Sequence, residues 1–409
     1  MINYFMSNKN RYSIPFWLHF VLLALLFAAC NGIEKKEYVN IEEGFQNATF
    51  VGSASCIECH RAEYDSWQNS HHDQAMKIAD STTIIANFNN TTFTNKGVKS
   101  SFFRRDGDYY VNTQGEDGTY KDYKIIYTFG YTPLQQYIVQ FPNGEYNCLL
   151  TAWDTLEGKW FHLQPDLDIK HDEWINWTGG SQRWNTMCAD CHSTNLQKNY
   201  DETKGVFNTT FSEINVACEA CHGPSSSHVS YYKEQEENEA GGILPPELYM
   251  GTAVAPKELV DKCARCHSRR GNLTPYFDYT GNFTDHYFPR MLEEPLYEPD
   301  GQIRDEVYVY GSFLQSKMYG LGVSCKDCHD VHSLKLKKEG NDLCLTCHVP
   351  DTYNSPEHHY HKMNTEAALC INCHMDGKLY MVNDYRRDHS FRVQRQDQSV
   401  TYGTPNACN

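Results

Sequence analysis

The order of apolar and polar positions divides the chain into stretches of different character. Residues 16–29 form an almost unbroken apolar run, preceded by Lys9 and Arg11. Such a run of about fourteen residues is too short for a comfortable membrane span and has the layout of an export signal. The stretch 31–47 is polar and charged and reads as a tether. Further on, 102–105, 109–112, 120–128, 136–141 and 145–153 are rich in aromatic and β-branched residues, with Asp106-Gly107, Asp117-Gly118 and Asn143-Gly144 between them. This alternation, broken by Asp-Gly and Asn-Gly, predicts hairpins of a small antiparallel sheet. Helical spacing is short and local. Glu63, Tyr64 and Trp67 share one face, and 256–265 reads as a helix with Pro near its start. The charged, Gly-ended stretch 231–242 reads as a solvated loop, and 272–310, rich in Pro, Gly and Tyr, as irregular.

Cysteine changes this picture. Fourteen of the 17 Cys fall in a five-residue pattern, Cys-x-x-Cys-His, used seven times. The first copy is Cys56, Cys59 and His60, the second Cys188, Cys191 and His192, and the third Cys218, Cys221 and His222. The fourth is Cys263, Cys266 and His267, and the fifth Cys325, Cys328 and His329. The sixth is Cys344, Cys347 and His348, and the seventh Cys370, Cys373 and His374. This is the attachment signature of c-type haem. Two thiols three positions apart on one helical turn reach the two vinyl groups of one porphyrin, and the following His supplies the proximal nitrogen to the iron. One copy could be a redox or zinc pair; seven, each with its His, predict seven covalently attached haems c. The motifs leave only about fifty residues per haem, too few to bury each in its own domain, so haems are expected to pack on one another and form much of the core. The 28 Tyr and 20 Phe suit packing against porphyrin faces. The expected fold is therefore mainly α, with much irregular structure, packed around stacked haems and carrying a small β insertion. The expected boundaries are 1–29 signal, 30–50 tether, 51–92 first haem segment, 93–165 β-rich insertion and 166–409 multihaem domain.

The net charge of −16 argues against nucleic acid as a partner and favours basic redox proteins for docking. Three Cys stand outside the motifs. Cys30 follows Leu26-Phe27-Ala28-Ala29, which resembles a lipoprotein cleavage site and predicts a membrane anchor through a lipid on Cys30. Cys148 lies in a predicted strand and reads as a buried thiol, with a disulfide as the alternative. Export, to the periplasm or to an outer-membrane or cell-surface position, agrees with the haem motifs.

The sixth iron ligand separates a carrier from an enzyme, because a second His closes the iron and an open position admits a small molecule. Seven of the 19 His are proximal, and His19 lies in the signal. The eleven others are His71, His72, His162, His171, His228, His286, His332, His358, His359, His361 and His389, enough for seven irons. Met318 and Met375 are weaker candidates. No motif has Lys in place of its His.

The chain resembles multihaem cytochromes of the c-554 family, especially larger exported members whose haem domain precedes tetratricopeptide repeats. Trp67-Gln-Asn-Ser70-His-His72-Asp-Gln-Ala75-Met76 is similar to the family's Trp-x-x-Ser-x-His-x-x-Ala-Met, which implies His72 as a distal ligand. Cys218-Glu-Ala-Cys-His-Gly-Pro implies the same for His228, and Cys325-Lys-Asp-Cys-His-Asp-Val-His332 for His332. The segments around His358 and His361, and Arg386-Arg-Asp-His389, are similar to further ligand segments; those around His162 and His286 are weaker matches. The end, Thr404-Pro-Asn-Ala-Cys408-Asn, resembles the start of an eighth haem motif, which implies a longer protein with a C-terminal repeat domain. The expected function is electron transfer along seven haems. The alternative is a multihaem oxidoreductase acting on a small nitrogen or sulfur compound, such as hydroxylamine, nitrite or tetrathionate, at one open haem, and the resemblance does not decide between them.

Overall fold

In the computed structural model of the chain, the stretch marked by alternation becomes the largest element of the molecule. The structure describes residues 48–237, 255–279 and 281–407. One antiparallel sheet contains β1 (Met76–Ile78), β2 (Thr91–Asn95), β3 (Val98–Arg105), β4 (Asp108–Gln114), β5 (Tyr120–Phe129), β6 (Leu134–Gln140), β7 (Tyr146–Cys148), β8 (Thr151–Asp154) and β9 (Lys159–His162). Its order is β2-β3-β4-β5-β6-β8-β9, with β1 on β5 and β7 on β6. The turn residues act as their chemistry requires. Asp106 and Gly107, joining β3 to β4, take φ of 53° and 90°. Two left-handed residues in a two-residue loop match the natural twist of the flanking strands.

The sheet curls almost closed. Trp160 on β9 donates its Nε1–H to Thr91 Oγ1 on β2 at 3.1 Å. Its ring lies flat on Phe102 of β3, with centroids 3.6 Å apart and planes at 8°. Phe88 meets Phe102, Tyr109, Tyr137 and Trp160 edge-on. Edge and stacked pairs of this kind add to the burial of apolar area itself. Alternate residues of β4, namely Tyr109, Val111 and Thr113, are buried, as one inward-facing side of a strand demands. A second apolar cluster ties the outer side of the sheet to the haem segments. Met76 and Ile138 pack there with Cys148, Trp184 and Ala189, the last inside the second motif. Cys148 is buried and unpaired, beside Gln136 Nε2 at 3.1 Å.

This architecture corrects the mainly α expectation, since the structure is 28% helical and 23% strand. Most motif helices are single turns, such as Cys218–His222, Cys370–His374 and Cys325–Cys328, and the fourth motif alone ends a longer helix among the described residues. A turn is all that two thiols and a His need, so counting motifs overstates helix. The β region is likewise more than a small insertion, because it begins at Met76 and builds its own aromatic core. Two longer helices are present among the described residues, Ser226–Glu237 and Pro256–His267. The second carries Pro at its start, as expected. The first corrects the loop expected from residue 231, at least as far as 237. The signal, Cys30 and Cys408 lie outside the described residues. No helix among the described residues is long and apolar enough to cross a membrane.

Removing the Phe102 ring should cost about 3–5 kcal/mol through the cavity and the lost stacking. Urea unfolding of Phe102→Ala should show a lower midpoint at unchanged slope; a change under about 1 kcal/mol would mean that this closure does not hold the sheet.

Candidate functional site

The motif turns are held against one another by side chains that lie inside the motifs. Glu219, in the third motif and fully buried, accepts hydrogen bonds from the backbone N–H groups of Val51, Gly52 and Ser225 at 2.8–3.1 Å. It thereby docks the approach to the first motif onto the third. Trp67, after the first motif, donates Nε1–H to the Val216 carbonyl at 2.9 Å. Asp190 of the second motif faces two guanidinium groups, Arg270 at 2.6 Å and Arg265 of the fourth motif at 3.8 Å. Arg265 also donates Nη1–H to the carbonyl of Ala220 in the third motif at 2.7 Å. One buried guanidinium thus links motifs two, three and four. The approach to the second motif is pinned by Asn185, which accepts from Tyr146 N–H at 2.7 Å and donates to Thr209 Oγ1 at 2.8 Å.

As a result, thiols of different motifs come near one another. Cys56 and Cys218, Cys191 and Cys266, Cys263 and Cys325, and Cys344 and Cys370 are close enough to perturb each other's ionisation. Cys221 and Cys266, and Cys328 and Cys347, are near enough to act on each other electrostatically. These neighbour relations run from motif one through three, four, five and six to seven, with motif two beside four, and the steps from three to four and from five to six are electrostatic only.

The second thiols differ in exposure from seat to seat: Cys59, Cys221 and Cys347 are exposed and the others half-buried. Cys59 of the first motif is exposed, whereas Cys56 of the same turn is half-buried against Cys218. Its turn is docked through Cys56 and the backbone at 51–53, so the opposite side of the turn faces solvent. Cys373 of the seventh motif is half-buried, and its backbone carbonyl accepts from Gln394 Nε2. The cover at Cys373 thus includes the chain that follows the last motif. Both residues keep the one-turn spacing to their partner thiols, Cys56 and Cys370, that a porphyrin needs.

The histidines test whether these seats fit haem. A ring nitrogen stands about 2 Å from the metal it ligates and roughly 1.1 Å from its ring centre, so two axial imidazoles on one iron have centroids about 6.2 Å apart. His60 and His228 are 6.3 Å apart, His72 and His267 6.2 Å, and His358 and His374 6.1 Å. Each pair joins a proximal His to one of the distal candidates. His359 and His361 stand 6.4 Å apart, but the ring nitrogens of His359 face Met363 Sδ and the His361 N–H. Burial holds the His72 imidazole at about 3 and that of His192 at about 4, neutral and with a lone pair available to a metal. The donor set fits haem at these positions, and the group would supply one-electron exchange at its iron.

Other predicted residues are placed differently. His389 donates its Nδ1–H to the Arg387 carbonyl, 2.9 Å away, and is acted on electrostatically by His329. His286 is buried with Nε2 3.2 Å from Asp278. His162 Nδ1 accepts from the Gln164 N–H at 3.0 Å on the sheet. His332 is half-buried beside its motif, and His71 lies against Tyr131 rather than a proximal His. His192 has Phe129 of β5 against its ring at 4.5 Å. No second imidazole stands near 6 Å from it among the described ring pairs. A cleft elsewhere on the chain has Glu306, Tyr308, Asp376, Lys378, Arg386, Arg387 and Asp388 among its walls. Arg386 acts on His192, and Glu306 on Cys188. Sequence reasoning passed over Glu219, Asp190, Arg265 and Arg270. The opposite charges of Asp190 and Arg265, at the same place in two motifs, were the available signal.

The model of the family described as cytochrome c554 and c-prime matches residues 55–100 and 162–223. No curated protein matches by sequence. The crystal structure of the outer cell wall cytochrome OcwA is similar at 17% identity over 88% of this chain and 83% of that one, with a TM-score of 0.55. The Wolinella succinogenes octaheme sulfite reductase MccA is more distant, at 14% identity over 84% of this chain and 58% of that one, with a TM-score of 0.35. The chain is a multihaem c-type cytochrome. The two matched segments of sequence are those of the cytochrome c554 and c-prime family, and the fold resembles that of OcwA.

Truncating Asp190 would leave Arg265 and Arg270 buried without a counter-charge. Asp190→Ala is expected to lose about 3–5 kcal/mol of stability by chemical denaturation, and a loss below about 1 kcal/mol would show that the ion pairs do not join the motifs.

Proposed function

We propose that the chain is an exported cytochrome that carries electrons along seven covalently bound haems, one at each Cys-x-x-Cys-His. The observation that carries this reading is that each motif has thiols near those of another motif. Each thiol would be the anchor of a porphyrin edge, so neighbouring thiols imply neighbouring macrocycles and a path for electrons. At the first motif the exposed Cys59 would leave one porphyrin edge near the surface, where an electron can enter or leave. The protein's part is to space the haems and to tune them through ligand, burial and charge. Bis-His closure is supported at His60/His228, His267/His72 and His374/His358 by their separations, and His329/His389 is the next candidate pair. His162, His286, His332 and His361 would then serve other roles or other irons. Redox proteins with basic faces are the partners that the charge favours, and a lipid on Cys30 would hold the protein at a membrane. The similar OcwA is an outer cell wall cytochrome, which supports a site of action outside the cytoplasm.

A second reading has its own observation. His192 lacks a matching imidazole among the described ring pairs, and Arg386, on the wall of a cleft with Tyr308 and Lys378, acts on it electrostatically. A haem there would keep an open position within reach of a guanidinium group, suited to a small nitrogen or sulfur oxyanion.

Low-temperature EPR of the oxidised holoprotein separates the readings. A wholly low-spin spectrum supports the carrier, whereas a high-spin signal that responds to nitrite or hydroxylamine supports chemistry at an open haem. His228→Ala, His72→Ala and His358→Ala should each turn one low-spin haem high-spin; no change in any of them would remove the assigned pairs.

A further inference from the structure

Charge is distributed unevenly along the row of motifs. At the Cys56–Cys218 contact the buried groups are carboxylates. Glu219 is fully buried, and Glu213 accepts from the Ser53 N–H at 3.2 Å and its hydroxyl at 3.0 Å. Both act electrostatically on Cys56. At the Cys191–Cys266 contact the balance is reversed. Arg265 is 6% exposed, with its guanidinium over the Phe277 ring at 4.4 Å and the Tyr279 ring at 4.9 Å. Arg270 lies 3.7 Å over the Tyr287 ring and reaches both Asp190 and, at 3.6 Å, the Cys191 sulfur. These two guanidinium groups face one carboxylate, Asp190. The further acids nearby are already engaged, Asp278 with His286 and Glu306 with Arg386.

We propose that these buried charges give the row a direction: they make the haem of the first motif the weaker electron acceptor and those of the second and fourth motifs the stronger. This rests on the haem reading above. Reduction adds one electron to a ferric haem and oxidises its ferrous neighbour by one. A fixed cation near the accepting haem stabilises the added charge, and a fixed anion opposes it. In a site that excludes water these effects are not screened as they are at a surface. Electrons entering at the first motif would therefore run through the third to the fourth, with the second as a branch at the same favourable end. Arg265, Arg270 and Glu219 are positioning residues in this account; none needs to touch an iron.

The test is a potentiometric titration of the loaded protein followed in the haem absorption bands, with the covalent haem content of every sample checked by mass. Glu219→Gln should raise one component, and Arg270→Gln should lower a different one, each by about tenfold in the one-electron equilibrium, about 59 mV. Arg270→Gln leaves Asp190 balanced by Arg265, so the fold is retained, and Arg270→Lys should keep the wild-type titration because it keeps the charge. Should Glu219→Gln fail to load haem, Glu213→Gln probes the same thiol contact. If no component moves, both move in the same direction, or Arg270→Lys shifts as far as Arg270→Gln, the proposed direction is wrong. A mass that does not correspond to seven haems would instead overturn the haem reading, whatever the titration shows.

Discussion

Two thiols and one imidazole must meet a single macrocycle from one helical turn, and this chain carries the motif for that seven times within a short length. The turns cannot be spaced by large domains, so they are tied together through their own interior residues. Glu219 binds the backbone that leads into the first motif, and Arg265 reaches both the second and the third. The sheet backs this arrangement. The end of β5 places Phe129 on His192, and the cluster around Met76 and Trp184 fixes the approach to the second motif. Rigidity therefore comes from one large β element on one side and from charge pairs between single turns on the other.

Much of this was legible in the chain. Thiol spacing defines the seats, and Asp106-Gly107 defines a hairpin, because both are local chemistry. The likeness of the segment 67–76 to its family selects His72 over His71, and in the structure His72 is the one that faces a proximal imidazole. What was not legible depended on distant partners. The flat contact of Trp160 with Phe102 closes the sheet, yet the two residues are far apart in sequence, and Trp160 read only as part of a ligand segment. His286 sits beside Asp278 because burial and a carboxylate met in the fold, not because of any pattern in the chain. The same holds for the exposure of Cys59 and the cover over Cys373, since the motif is identical at every seat and its surroundings are not. Helix was overestimated since a motif looks the same whether it ends a long helix, as His267 does, or forms an isolated turn, as at 325–328.

The spare histidines remain the hinge between structure and chemistry. Where a second imidazole stands opposite a proximal one, the iron is closed and the site can only exchange electrons. At His192 the neighbours are an aromatic edge and the charge of Arg386, so a row of haems could feed electrons to a molecule bound there without any change in its remaining parts. Carrier and enzyme would thus differ in whether every seat is closed.

Everything above depends on the motifs being neighbours in the order that the thiol contacts define. An iron anomalous-scattering map from crystals of the loaded protein tests this most directly. The account predicts seven iron peaks, with one, three, four, five, six and seven in a continuous row and two beside four. Fewer peaks, or irons whose order breaks that row, would contradict it.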